Sequence, residues 1–317
     1  MLLLSALRII AVAATFLSQP QPALGLLTPV GHAPSGKPIY VVPNKSRVRQ
    51  VGRELKVFDA KGALIHTFTQ KSRSVQRETV GSHTHTRTRR QGITTVAASV
   101  PLTNTNSSKL EAFNTTFVVR PAPKKFDSQL LWIANSLVAT DEHGVPYGEL
   151  STVIQYGATS LIGGSYWTVL AQFEWFPDAG AILIAGRNGV DPTISPGTVL
   201  NSSIIHDPTL GNPGETWYMA SFSGRDDLPQ LGSLYDTPGM VARVGMEEEG
   251  VVEREHYPDA ESVRFTKTNL LVTEGYPEVK WDSAVEGEGG SDGATGAYVT
   301  VDVDGAEGTE ITLHFGN

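Results

Sequence analysis

Short runs of apolar residues recur along most of the chain, with polar positions interleaved and Gly, Pro, Asn or Asp between the runs. Segments 113–119, 130–134, 150–156, 166–176, 181–185, 216–222 and 262–266 are rich in β-branched and aromatic residues, and several alternate with period two. That pattern predicts strands. Segments 297–303 and 309–315 predict a closing hairpin joined through a Gly-containing turn. No stretch of 12 or more residues holds a 3.6-residue period with caps at its ends, so no long helix is expected. Many short strands with turn signals between them predict an all-β sandwich or barrel. Segment 286–293, Glu-Gly-Glu-Gly-Gly-Ser-Asp-Gly, predicts an acidic loop before the last hairpin.

The first 25 residues break this pattern. They are apolar to Leu17, carry Arg8 as their single charge, and end in small residues at Ala23 and Gly25. This is the layout of a secretory signal peptide, and the polar and Pro residues at 18–22 interrupt it too early for a transmembrane anchor. Secretion and an extracellular location follow as the expectation. Asn44, Asn106, Asn114 and Asn201 each open an N-x-S/T triplet and are candidate glycosylation sites.

Charge divides the remainder. Residues 26–90 hold 13 Lys and Arg against 3 acidic groups, a balance of +10; residues 91–317 hold 11 against 30, a balance of −19. Opposite charges of this size attract. With the dibasic Arg89-Arg90 at its end, segment 26–90 reads as a basic pro-segment that partners the acidic domain 91–317 until it is cut away. Strands are expected inside it at 38–42 and 53–59. A domain at −19 repels itself at neutral pH and less so in acid, which favours an acidic working environment and argues against nucleic acid as a partner. The absence of Cys in 317 residues removes disulfides, thiol catalysis and thiolate metal sites.

Outside segment 26–90 the histidines are His143, His206, His256 and His314, and none stands in a Gly-x-Ser-x-Gly elbow or a His-x-x-x-His pair. Neither a metal nor a cofactor is expected. Carboxylates and amides remain. Gln155 shares a strand face with Val153, where an amide needs a hydrogen-bond partner. Glu174 lies between aromatics, and Glu247 opens a run of three Glu that by composition alone reads as a wet turn.

The order of these segments resembles the fungal glutamic peptidases, the pepstatin-insensitive acid endopeptidases called eqolisins. Phe113 to Pro121 resembles the family's early strand, and Leu131-Trp132-Ile133 its Ala-Trp-Val strand. Val153-Ile154-Gln155-Tyr156-Gly157 resembles the Ile-Leu-Gln-Thr-Gly motif, and Phe173-Glu174-Trp175-Phe176-Pro177 the Tyr-Glu-Trp-Tyr-Pro motif. Thr193 to Gly197 is similar to its Ile-Ser-x-Gly turn, Val244-Gly245-Met246-Glu247 to its Phe-Ile-Ile-Glu strand, and 262–266 to the strand after it. The resemblance implies a concanavalin A-like β-sandwich of two curved antiparallel sheets acting as a monomer on polypeptide, with no membrane partner. It implies Gln155 and Glu247 as the catalytic pair on adjacent strands, with Trp132 and Glu174 beside them. Another reading makes the domain a secreted carbohydrate-binding module whose groove is lined by Trp132, Tyr166, Trp167, Phe173 and Trp175; a third makes it a structural surface glycoprotein. A glycosidase would have to pair Glu174 with Glu247.

Overall fold

The computed structural model describes residues 27–33, 36–70, 93–103, 108–141, 143–159, 162–176, 180–186, 193–235, 237, 239–286 and 296–316. Residues 1–25, Arg89, Arg90, Asn106 and the acidic stretch 287–293 lie outside them, so the expectations for those positions are not addressed by the fold.

In chain order the strands are β1 (Gly31–His32), β2 (Pro38–Pro43), β3 (Ser46–Val51), β4 (Glu54–Phe58), β5 (Leu64–Thr69) and β6 (Ile93–Thr103). Next come β7 (Leu110–Val118), β8 (Leu130–Thr140), β9 (Pro146–Thr159), β10 (Ile162–Trp175), β11 (Ile182–Gly186) and β12 (Val199–His206). The series ends with β13 (Trp217–Phe222), β14 (Leu231–Leu234), β15 (Gly239–Glu249), β16 (Ser262–Val272), β17 (Asp282–Glu286), β18 (Tyr298–Val303) and β19 (Thr309–His314). Helical structure among the described residues is one 3₁₀ turn, Arg254–His256.

The strands form an all-β sandwich. One sheet has nine strands in the order β1-β2-β11-β10-β9-β8-β15-β6-β17, and the other ten in the order β18-β19-β16-β7-β12-β13-β14-β3-β4-β5. Their inner faces supply one continuous core, with Ile133, Ile154, Phe173 and Val244 from the first sheet and Phe113, Ile204, Tyr218 and Phe265 from the second. Burying each such aliphatic or Phe side chain stabilises the fold by about 1.5–3 kcal/mol relative to leaving it in water.

The sheets are mixed, which corrects the expectation of purely antiparallel ones. β2 pairs in parallel with β11, and β3 in parallel with β14. The reason lies at Asn44 and Lys45, where the chain leaves the first sheet and enters the second. The Asn44 carboxamide oxygen accepts hydrogen bonds from the backbone N–H groups of Lys45 and Gln230, at 3.1 and 2.7 Å. That turn delivers β3 to the edge of β14, far in sequence from its neighbour, so no hairpin dictates an antiparallel direction.

The described part of segment 26–90 is therefore present in both sheets. β2 and β4 occupy the two places expected for strands, β1, β3 and β5 add three more, and Val42, Val48, Leu55 and Val57 are fully buried in the shared core.

Candidate functional site

In a strand, alternate residues face opposite sides of the sheet. On β10, Trp167, Val169, Phe173 and Trp175 join the core between the sheets, so Thr168, Leu170, Gln172 and Glu174 face the other way. Registers carry that outer face across the sheet. Thr168 stands opposite Gln155, Gln155 opposite Trp132, and Trp132 opposite Glu247. A groove runs over this face, bordered by Thr95, Trp132, Glu149, Glu174, Arg243 and Glu247.

Gln155, Trp132 and Glu247 thus form one row on one face of β9, β8 and β15. The two polar members are not on adjacent strands as expected, because β8 runs between them and puts the indole in the middle. Their backbones are separated by two strand spacings, about 9.5 Å. Gln155 is fully buried. Its carboxamide oxygen accepts the Trp132 indole N–H at 2.8 Å, and its amide nitrogen donates to the Gly157 carbonyl at 2.9 Å. Two glycines allow this. Gly157 has φ +94°, and a Cβ there would lie 2.0 Å from the Gln129 carbonyl oxygen; a Cβ on Gly163 would lie 2.6 Å from the Gln155 amide nitrogen. Glu247 is more open, with a side chain 20% exposed and the Arg243 guanidinium 3.9 Å away. Glu248, its neighbour in sequence, is buried on the core side, as strand alternation requires.

Glu174 lines the same groove as Trp132 and Glu247, displaced from their row along the strands. It lies six residues along β10 from Thr168, about 20 Å at the usual strand rise, and stands opposite Glu149. Its carboxylate takes the Lys37 ammonium at 2.9 Å, and that ammonium also donates to the Trp175 carbonyl at 3.1 Å and sits 5.1 Å from the centre of the Phe176 ring. Glu149 is bound by Arg243. Glu174 and Glu247 line the same groove three strands and six residues apart in register, with the Arg243 guanidinium, bound to Glu149, between them.

Trp167, Phe173 and Trp175 lie in the core, which removes them from any groove wall. The Trp175 indole N–H donates to the Gln50 side chain at 3.0 Å, and the Trp167 indole nitrogen is buried with no hydrogen-bond partner. Of the aromatics expected to hold substrate, Trp132 lines the groove and Tyr166 is exposed at the β-bulge between Gly164 and Trp167. That leaves a sugar-stacking surface without most of its rings.

Two charged groove residues, Glu149 and Arg243, follow from strand alternation. Glu149 is six residues before Gln155 and Arg243 four before Glu247, so strand alternation alone puts each on its partner's face. Among the candidate glycosylation sites, Asn201 is exposed, while Asn114 sits in mid-sheet on β7 with a buried carboxamide oxygen.

A separate polar cluster lies at the end of β15. Asp127, Glu253 and buried His256 bring their ligand atoms within 4.8 Å of one another. The Lys125 ammonium binds both carboxylates. The His256 Nδ1 accepts the Val252 N–H at 3.3 Å, so the neutral ring carries its proton on Nε2, toward Asp127 and Glu253. A donor in that position, with a lysine already between the carboxylates, does not present the lone pairs a metal ion needs.

No family model matches the chain, and no curated protein matches it.

Proposed function

We propose that the chain is a secreted acid endopeptidase of the glutamic type, working in the groove of the nine-stranded sheet. The observation that carries this reading is the single row Gln155–Trp132–Glu247 on one face of the sheet, an amide and a carboxylate on either side of an indole, with Trp132 and Glu247 lining the groove and Gln155 buried at the far end of the row. Ionised Glu247 takes a proton from a water molecule, which attacks the scissile carbonyl carbon. The Gln155 amide donates to the oxygen as it becomes an oxyanion, and Glu247 returns the proton to the leaving amine. No covalent enzyme intermediate forms, in keeping with a chain that has no Cys. Trp132 supports the amide through its indole N–H and offers the peptide a flat surface between the two polar groups. The Arg243 guanidinium stands beside the carboxylate at 3.9 Å. The apolar leader with its small-residue end supports secretion.

Hydrolysis of an acid-denatured protein by wild type, Gln155→Ala and Glu247→Gln tests the reading. Both variants should stay folded and lose at least about a hundredfold in rate. Undiminished hydrolysis by E247Q would overturn the assignment.

A further inference from the structure

Segment 38–69 is built into the sandwich in a way that a departing leader is not. β2 adds to the first sheet through five registered pairs with β11, from Ile39 opposite Ile182 to Pro43 opposite Gly186. β3 adds to the second through four pairs with β14, and β4 and β5 extend that sheet further. Val42, Val48, Leu55 and Val57 belong to the main core. On the groove face, Ala33 and Ile39 cover Val153, Leu170 and Ile184 in a second apolar cluster. Polar ties run the same way, with Arg49 on Glu215 at 2.7 Å and Gln50 on the Trp175 indole at 3.0 Å.

We propose that residues 38–69 are a permanent strand complement of this protein, so that a chain cut anywhere in 71–92 stays assembled as two noncovalently joined pieces. Taking away the N-terminal piece that carries the segment, with Lys37 just before it, would uncover apolar side chains on both sheets, expose the edges of β11 and β14 to pairing with other chains, and strip the ammonium from buried Glu174. Loss of the segment damages the groove rather than opening it. The attachment is chiefly backbone ladder and apolar burial, which salt does not screen, so the net charge of the segment is not what holds it. This inference does not depend on the peptidase reading, because association is its readout and activity is not.

The test places a specific protease site between Arg77 and Glu78 of the full chain, cuts it, and runs the product on size exclusion at about 0.1 M and about 1 M salt. Both pieces should co-elute at the size of the uncut protein in either salt and separate in denaturant. Release of the N-terminal piece in native buffer would overturn the proposal, and release in high salt alone would do so in favour of a charge-held leader. If the inserted site prevents folding, hydrogen exchange on the unaltered chain decides. The amides of β3 and β4 should exchange as slowly as those of β14, and exchange about a hundredfold faster would overturn the proposal.

Discussion

The two ends of the groove treat their carboxylates differently. At one end Glu149 and Glu174 stand directly opposite each other across β9 and β10, both nearly buried, and each is held by a cation. Like charges in that position repel and resist burial, so Arg243 and Lys37 are conditions of the fold there. At the other end Glu247 shares its row with an indole and an amide, keeps a fifth of its side chain exposed, and meets Arg243 only at 3.9 Å. A carboxylate locked to a buried cation is a poor base, whereas one that stays reachable by water can take and return a proton. The comparison separates the carboxylates that are ion-paired within the groove from the one that the proposed reaction uses.

The sharpest break in that contrast is to remove each carboxylate in turn. Glu247→Gln should abolish nearly all acid proteolysis, a loss of about a hundredfold or more, with stability close to wild type. Glu174→Gln, at the paired end, should leave the rate within about tenfold of wild type and show its effect as altered stability instead. Rate assays and denaturant melts on both variants measure this, and equal rate losses in the two would erase the distinction.

Arg243→Met comes next in size. It leaves Glu149 buried without its guanidinium beside Glu174, and breaking one side of such a pair should destabilise by about 3–5 kcal/mol. Urea titration checks it. Lys37→Met should act in the same direction with about 1–2 kcal/mol, since the ammonium is more accessible than the guanidinium. The double variant K37M/E174Q should recover part of that loss, because it leaves no unpaired charge; a purely additive result would show that the two side chains do not support each other.

Much of the fold was legible in residue patterns, and the limits follow from physics. β7, β10, β13, β18 and β19 all carry the alternation that the sequence displays. β6 and β12 do not show in the pattern, because Ala, Ser and Asn dilute the apolar period in Ile93–Thr103 and Val199–His206. The parallel contacts of β2 and β3 are set by long-range topology, which no local pattern encodes. Within the site, Gln155 and Trp132 were placed by motif and came out on one face, while assigning both Glu174 and Trp175 to the groove contradicted alternation, since consecutive strand residues point apart. Glu247 was masked by its neighbours: three adjacent Glu suggest a solvated turn, yet they are the end of β15, with Glu248 turned to the core and Glu247 to the groove.

Glu249 offers the finest test of the same contrast, because it shares the groove side of β15 with Glu247 and lies opposite Leu130 and Ile93 rather than beside an indole. Both of those neighbours are buried, and burial raises the Glu249 carboxyl above its ordinary value. A raised carboxyl favours the fold while it is protonated. That contribution is complete below the unfolded-state value and is lost as pH climbs through the higher folded-state one. Replacing Glu249 with Gln should therefore raise stability at pH 7 and leave it unchanged at pH 3. The gain should be small, about 0.5 kcal/mol, because the residue is only half-buried. Denaturant titrations of wild type and E249Q at the two pH values measure the difference directly. A variant equally destabilised at both would mean that the carboxyl makes a hydrogen bond the fold needs, and that water-facing character on this strand does not end at Glu247.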